Sequence, residues 1–371
     1  MKKTIGFFTG ARSDYGIMKN LIREIQDSDI FEYRIYVSGI HLLDKFGKTI
    51  EEIIKDGFGE NIVIIEAFEE QNEPGYFEFS KIINSLSICL GKNAPDVMFL
   101  LGDRFETYAA ALACHFSAIP IIHSGGGTIT KGANDNIYRY NISNLATYHF
   151  ATSEGNYQRL LGLPVTENEN VFFTGSFAID AIQEFNRNPK SIHDTIPGLN
   201  VGDFCLITFH SVTKSKENVA EIMDEVILKI LSLNKQALIT YPNNDPGYKH
   251  ILEIIEKWKT NKNVFVREHL GSIGYYAALR DCKLIIGNSS SGIVEAPYFN
   301  KTVINIGSRQ EGREADESII TVPCKKNAVL QLLEEHLGDK KYNVYCNNIY
   351  GNGEALIKIR KILSDYLLPK I

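Results

Sequence analysis

The chain has 371 residues, 44% hydrophobic and 23% charged, an ordinary globular make-up with too much chain for one compact core, so two domains are expected. Its net charge of −6 supplies no field for nucleic acid or an anionic membrane, so an anionic ligand needs a local basic site. No apolar run reaches the ~18 residues of a membrane-spanning helix.

The six cysteines, Cys89, Cys114, Cys205, Cys282, Cys324 and Cys346, are scattered without a CxxC pair. They read as free thiols of a cytoplasmic protein rather than disulfides or a metal site. The opening MKKTIGFFTGARSDYG holds an apolar stretch too short for a signal peptide and is read as a first strand, Thr4–Thr9.

That strand runs into Gly10-Ala11-Arg12-Ser13-Asp14-Tyr15-Gly16 and then a helix over Ile17–Gln26. The loop lacks G-x-G-x-x-G, so no dinucleotide fingerprint is present. Arg12 stands at the strand's carboxyl end, where open α/β sheets take ligands. Arg34–Ser38 is a second strand, followed by His41, which reads as a ligand contact or as a satisfied loop histidine. Asn61–Ile65 is the third strand, and Phe77–Leu90 an amphipathic helix. Asp96–Leu101 delivers Gly102-Asp103-Arg104-Phe105-Glu106 into a helix over Thr107–Phe116. An Asp-Arg pair there is either structural or a catalytic carboxylate held by its neighbour.

Pro120–His123 precedes a glycine loop, Ser124–Asn136, that does not match G-x-x-x-x-G-K-[ST]. The helix Asn136–Ala146 carries Arg139, a short strand ends before Ala151, and Val171–Thr174 is a further strand. Asn186–Asn200, with Pro189, Pro197 and Gly198, reads as a linker, dividing a first domain of residues 1–185 from a second of residues 201–371. The second set begins with Phe204–Phe209, His210 and the helix Asn218–Leu231. Ala237–Thr240 leads to Asn243 and Asp245, Gly247–Lys259 is mostly helical, and Val264–Arg267 leads to His269. After the helix Gly271–Asp281 comes Lys283–Gly287, a buried parallel strand.

Asn288, Ser289, Ser290, Ser291 and Gly292 then open a helix over Ile293–Phe299. A strand, a Ser/Gly turn and a helix N-terminus aim free N–H groups at a phosphate, although serines there also simply cap helices. Glu295 is placed to accept two hydrogen bonds from a ribose diol. Thr302–Gly307 ends beside Arg309 and Arg313, fixed charges suited to a diphosphate. Glu354–Leu367 is a closing amphipathic helix that can pack back on the first domain. Strands alternating with helices on both sides of one linker predict an α/β fold of two doubly wound Rossmann-like domains facing across a cleft. Arg12, Asp103, Asp135, His210, Asp245, Ser289 and Arg309 all fall just after strand ends.

Gly10-Ala11-Arg12, Gly102-Asp103-Arg104, His123 with its glycines, Asp135, His210-Ser211-Val212-Thr213, Tyr241-Pro242-Asn243, Gly287-Asn288-Ser289-Ser290 with Glu295, and Gly307-Ser308-Arg309 together carry a resemblance. They resemble, nearly end to end and in the same order, the hydrolysing UDP-N-acetylglucosamine 2-epimerases of the sialic- and legionaminic-acid pathways. The resemblance implies the glycosyltransferase-B type of fold and a UDP-sugar as small-molecule partner, with no nicotinamide, no metal, and a homodimer or homotetramer. It also implies a reaction. The C2 proton leaves, UDP is expelled to give a 2-acetamidoglycal, and water adds with inversion at C2 to release N-acetylmannosamine or a 2,4-diacetamido-6-deoxy relative. It places Arg12 near the diphosphate and His210 near the phosphate or sugar. Asp103 and Asp135, with Arg104 beside them, take the proton transfers. His41, Asn243, Asp245, His269, Asn288, Ser289, Ser290, Glu295, Arg309 and Arg313 hold the UDP-sugar.

The chain departs from the family pattern where acids are usual, at Gly125, Thr128 and Asn136, and where a histidine is usual, at Tyr140. Two other readings therefore stand beside the first: a glycosyltransferase of the same fold, and a UDP-sugar-binding protein without turnover.

Overall fold

The computed structural model describes residues 2–44, 47–67, 75–131, 135–212, 214–243, 246–338 and 346–371. The chain forms two compact units. One comprises Met1–Thr128, Asp135–Ala181 and Tyr350–Ile371, the other Ile129–Asn134 and Ile182–Ile349. Both are α/β units built on parallel sheets, as the alternating pattern predicts.

Among the described residues the first unit holds seven strands: β1 (Lys3–Thr9), β2 (Phe31–Val37), β3 (Ile62–Ile64), β4 (Val97–Leu101), β5 (Ile121–Ser124), β6 (Tyr148–Ala151) and β7 (Val171–Phe173). Their order is β3-β2-β1-β4-β5-β6-β7, and every pairing is parallel. Strands covered by helices on both faces read as continuous apolar runs, here IGFF and VMFLL, because both sets of alternating side chains are buried. Ile5, Phe7, Val97 and Phe99 face the helix Arg12–Gln26 and the closing helix Ala355–Ile362. Phe8, Met98 and Leu100 face the helices Gly75–Lys92 and Phe105–Phe116, where Ala109, Ala110 and Ala113 let the latter lie close.

The second unit holds β8 (Phe204–Thr208), β9 (Gln236–Thr240), β10 (Val264–Arg267), β11 (Leu284–Gly287), β12 (Val303–Ile306) and β13 (Ile319–Val322), in the order β10-β9-β8-β11-β12-β13. The edge strand β13 and the helix Lys326–Leu337 were not anticipated from sequence. In residues 186–200 the backbone is tied down: Ile192, Ile196 and Leu199 are buried, and the Ile192 N–H donates to Asp281 at 2.9 Å. All six cysteines are free, with Cys114, Cys205 and Cys282 buried. No helix among the described residues is long and apolar enough to cross a membrane.

Both sheets share one topological property. From β1 the chain winds outward to β2 and β3, then returns to β4 on the other side of β1; from β8 it does the same through β9 and β10 to β11. Loops at the carboxyl ends of β1 and β4, and of β8 and β11, thus diverge and leave a crevice, the place where open α/β sheets take ligands. At the second crevice Gly287 has φ of 143°, and a Cβ there would lie 1.9 Å from the Thr208 carbonyl oxygen. Gly287→Ala is expected to cost about 2–3 kcal/mol, since backbone rather than a flexible side chain must give way. A urea titration checks this; an unchanged midpoint would show that β8 and β11 can separate freely.

Candidate active site

The first crevice is built from the ends of β1 and β4. Arg12 opens the helix Arg12–Gln26, starting a turn earlier than Ile17 because the whole Ser13–Gly16 stretch is helical. Its guanidinium lies 3.7 Å from Glu52. Asp14 sits in the same first turn. After β4, Arg104 precedes the helix Phe105–Phe116 in extended conformation and forks back onto Glu106, at 2.7 and 3.1 Å. Glu106 is 1% exposed and lies under Gly10, whose missing Cβ would stand 3.1 Å from it. Glycine there lets β1 pass over a buried carboxylate.

Asp103 pairs with Arg139 in an ion pair whose guanidinium is 1% exposed and whose carboxylate is 25% exposed. Arg139 also donates to the Thr128 carbonyl at 2.8 Å and to Asn136 at 3.1 Å. An arginine so enclosed, fastened to three acceptors, fixes where Asp103 stands. Asp135 is the first residue of the helix Asp135–Leu145 that carries Arg139. The Asn156 amide donates to the Thr128 hydroxyl at 2.9 Å, so this departure from the family pattern is a satisfied buried group. Burial pushes the Asp14 carboxyl up to about 6, against the pull of Arg104.

His41 corrects its ligand-contact reading. It is fully buried, with Nε2 2.9 Å from Thr9 Oγ1 and Nδ1 2.8 Å from Thr49 Oγ1, and burial lowers its pKa to about 4. Both ring nitrogens are spent inside the fold, so it braces β1 against the loop after β2. His123 is similar, held by Gly102 O at 2.8 Å and Ser143 Oγ at 3.0 Å.

The second crevice centres on His210 and Asn288. The Asn288 side chain accepts from the His210 N–H at 2.7 Å and donates to the His210 carbonyl at 2.8 Å. This two-point tie, fully buried, joins the segments after β8 and β11 and uses both ends of the amide. Asn288 therefore holds the site together rather than offering its amide to a ligand. The Asn243 N–H donates to His210 Nδ1 at 3.0 Å, which leaves the ring proton on Nε2. Burial, with Arg309 beside it, holds His210 well below the usual histidine range, so the ring is a neutral donor. Arg309, 8% exposed, donates to the Asn288 carbonyl at 3.4 Å, and Gln310 donates to the same oxygen at 2.9 Å. Glu217 accepts from the Ser308 N–H at 3.1 Å and shapes that turn.

The serine turn differs from expectation. The helix begins at Ser290 and lasts only to Val294, then tightens into a 3-10 turn, Ala296–Phe299, at Pro297. So short a helix has little macrodipole, and the free N–H groups of the turn are what it offers an anion. Ser289 does not cap it. Its hydroxyl is 3.1 Å from Ser291 Oγ, which in turn bonds the Tyr275 hydroxyl. Burial pushes the Glu295 carboxyl up to about 7. His269 and Asn243 are exposed, Arg313 is half-buried, and Thr213 and Asp245 lie outside the described residues.

The structure thus gathers Arg12, Asp103 and Arg104 at one crevice and His210, Asn288, Ser289 and Arg309 at the other. Asp14, Glu106, Tyr275 and Gln310 were not singled out from sequence, and Arg139 was named only as part of its helix. Glu106 two residues after Arg104 carried a readable signal, since a helix start folds that spacing into a fork. Tyr275 and Gln310 carried none.

A family model described as UDP-N-acetylglucosamine 2-epimerase matches residues 23–364. A Legionella pneumophila protein named UDP-N,N′-diacetylbacillosamine 2-epimerase (hydrolyzing) is 31% identical over 365 residues, 98% of this chain and 96% of its own. A Campylobacter jejuni protein named GDP/UDP-N,N′-diacetylbacillosamine 2-epimerase (hydrolyzing) is 32% identical over 324 residues, 86% of this chain and 84% of its own. In fold, the chain is similar to UDP-GlcNAc 2-epimerase from Neisseria meningitidis, solved bound to UDP-GlcNAc, with a TM-score of 0.76 and 19% identity over 97% of this chain and 99% of that one. With the match spanning nearly its whole length, the chain belongs to the UDP-N-acetylglucosamine 2-epimerase family.

Proposed function

We propose that this protein is a hydrolysing 2-epimerase of a UDP-2-acetamido sugar, releasing UDP and the free manno-configured sugar. The observation that carries the reading is Asp103, a carboxylate fixed by the buried Arg139 at the crevice between β1 and β4. Two relatives above 30% identity, by their names, act on N,N′-diacetylbacillosamine linked to UDP in one case and to GDP or UDP in the other. This favours a 2,4-diacetamido-6-deoxy sugar over plain N-acetylglucosamine as substrate.

A carbon-bound proton is poorly acidic, so its removal needs a positioned base and support for the leaving group. Asp103 takes the C2 proton, and Asp135 assists the second proton transfer. The C–H electron pair forms the C1=C2 bond, and the C1–O pair departs with UDP. Arg309, Ser289, Ser290 and the turn's N–H groups hold the charge that develops on the diphosphate, and the neutral His210 donates from Nε2. Glu295 grips the ribose, and such remote binding orients the sugar. Product NMR tests the reading. In deuterated water, UDP-N,N′-diacetylbacillosamine or UDP-N-acetylglucosamine is expected to give a free manno sugar with deuterium at C2. Free sugar without deuterium would overturn elimination, and transfer to an acceptor without exchange would favour a glycosyltransferase.

Glu295 adds a pH dependence. Its carboxyl is neutral below about 7 in the empty site, and a ribose diol donates best to the anion. Binding below that pH must first ionise it. UDP affinity is therefore expected to fall about fivefold in going from pH 7, where the group is half ionised, to pH 6. In Glu295→Gln that slope is expected to vanish. Calorimetry on both proteins with the same ligand cancels the titration of UDP itself, and equal slopes would separate Glu295 from the ribose.

A further inference from the structure

Epimerisation with inversion at C2 sets a condition on the site. The proton leaves from one face of the sugar and another returns to the opposite face, so two groups are needed, one ionised and one protonated when the substrate arrives. Among the described residues, two carboxyls at the crevice between β1 and β4 each have an arginine against them. Asp103 is matched to Arg139, and Glu106 to Arg104. Asp14 is a third carboxyl. Its Oδ1 accepts from Ser13 Oγ at 3.2 Å, while its Oδ2 is shut off from solvent without a hydrogen-bond partner among the described residues. An anionic oxygen enclosed in that way would have no hydrogen bond to replace its lost hydration, and a protonated one loses less. The charged groups facing it are Arg104, Glu106 and Asp103, of which two are acids and disfavour a further negative charge. The residue as a whole stays half-buried.

We propose that Asp14 is the acid that returns a proton to C2 in the hydration step. The inference rests on the elimination reading above, and it places at Asp14 the transfer otherwise given to Asp135. In the first half, the C2 proton moves to Asp103 and UDP leaves with the C1–O electron pair. In the second, the Asp14 O–H proton bonds to C2 of the glycal from the opposite face. A water oxygen bonds to C1, and the proton that water gives up restores Asp14. Asp103 releases its proton to solvent. One water is consumed, and both carboxyls end as they began. Burial, which pushes the Asp14 carboxyl up to about 6, keeps a proton available for the step.

The two halves can be assayed apart. Wild type, Asp14→Asn and Asp135→Asn are given UDP-sugar in a single turnover, with UDP release followed. Separately they are given the 2-acetamidoglycal in deuterated water, with hydration followed by NMR. Asp14→Asn is expected to release UDP within about tenfold of wild type, to accumulate glycal, and to hydrate added glycal at least about 100-fold more slowly. Asp14→Glu, which keeps a proton-bearing group, is expected to recover part of the hydration rate with a shifted alkaline limb in its pH profile. Hydration by Asp14→Asn within twofold of wild type would overturn the proposal, as would an Asp135→Asn variant that alone stalls hydration. Should Asp14→Asn not fold, an Asp14→Glu pH profile identical to wild type would overturn it instead. A wild type that yields no deuterated sugar from UDP-sugar, yet hydrates added glycal, would break the elimination reading and not this one.

Discussion

Asp103→Asn is expected to bind UDP as tightly as wild type and to lose about 10²–10⁴ of its turnover, the usual worth of a positioned base. Asparagine is the informative choice. The Arg139 guanidinium is 1% exposed and pressed against Asp103. Truncating Asp103 to alanine would strand that charge, at a cost of about 3–5 kcal/mol, and the lost rate would then mix chemistry with unfolding. The asparagine amide retains an oxygen to accept from Arg139 while removing the basic electron pair that takes a proton. UDP affinity by calorimetry, thermal midpoint and single-turnover UDP release should separate the effects. Affinity and midpoint stay near wild type, and UDP release collapses. An unchanged rate would remove Asp103 from the reaction and leave its pairing with Arg139 as a purely structural bond.

Much of the fold was legible because parallel strands covered on both faces cannot disguise themselves. IGFF in β1 and VMFLL in β4 are apolar without alternation, and each ends where a polar residue or a glycine follows. What the periodicity could not supply was order. That β1 neighbours β4, and β8 neighbours β11, follows from long-range pairing, and those two adjacencies create both crevices. The same limit separates the site residues. Arg12, Asp103 and Arg309 could be picked out because each follows a strand. His41 follows one as well, yet Thr9 and Thr49 take up both its nitrogens, and neither partner is near it in sequence. Asp14 was hidden by the reverse effect. Its motif was noticed for Arg12, while its significance depends on Arg104 and Glu106 arriving from β4. Asn288 looked like a ligand contact, and the tie to His210 that consumes its amide spans 78 residues. Sequence pattern finds residues at strand ends, and only packing decides which of them still have an unspent polar atom.

Arg309→Ala is expected to weaken UDP about 100-fold or more, since one charge-assisted hydrogen bond to an anion is worth about 1.5–3 kcal/mol and a guanidinium can make two. The arginine is 8% exposed and leans on the Asn288 carbonyl, so its fork is already ordered and little entropy is lost on binding. Lysine would restore the charge without the fork, and Arg309→Lys should recover only part of the affinity. Uridine provides the internal control. It carries the ribose and base but no phosphate, so its weak binding should change by less than about threefold in Arg309→Ala if the residue acts on the diphosphate. A loss shared equally by uridine and UDP would mean that the turn around Asn288 had collapsed. Unaltered affinity for both would place the diphosphate away from Arg309. The His210 ring gives a second readout. Arg309 is one of the two influences that hold it neutral, and burial, the larger, persists without it. The ring should therefore stay uncharged at neutral pH in the variant, and an imidazolium signal at pH 7 by NMR would show that the arginine, rather than the enclosure of the crevice, keeps His210 a donor from Nε2 alone.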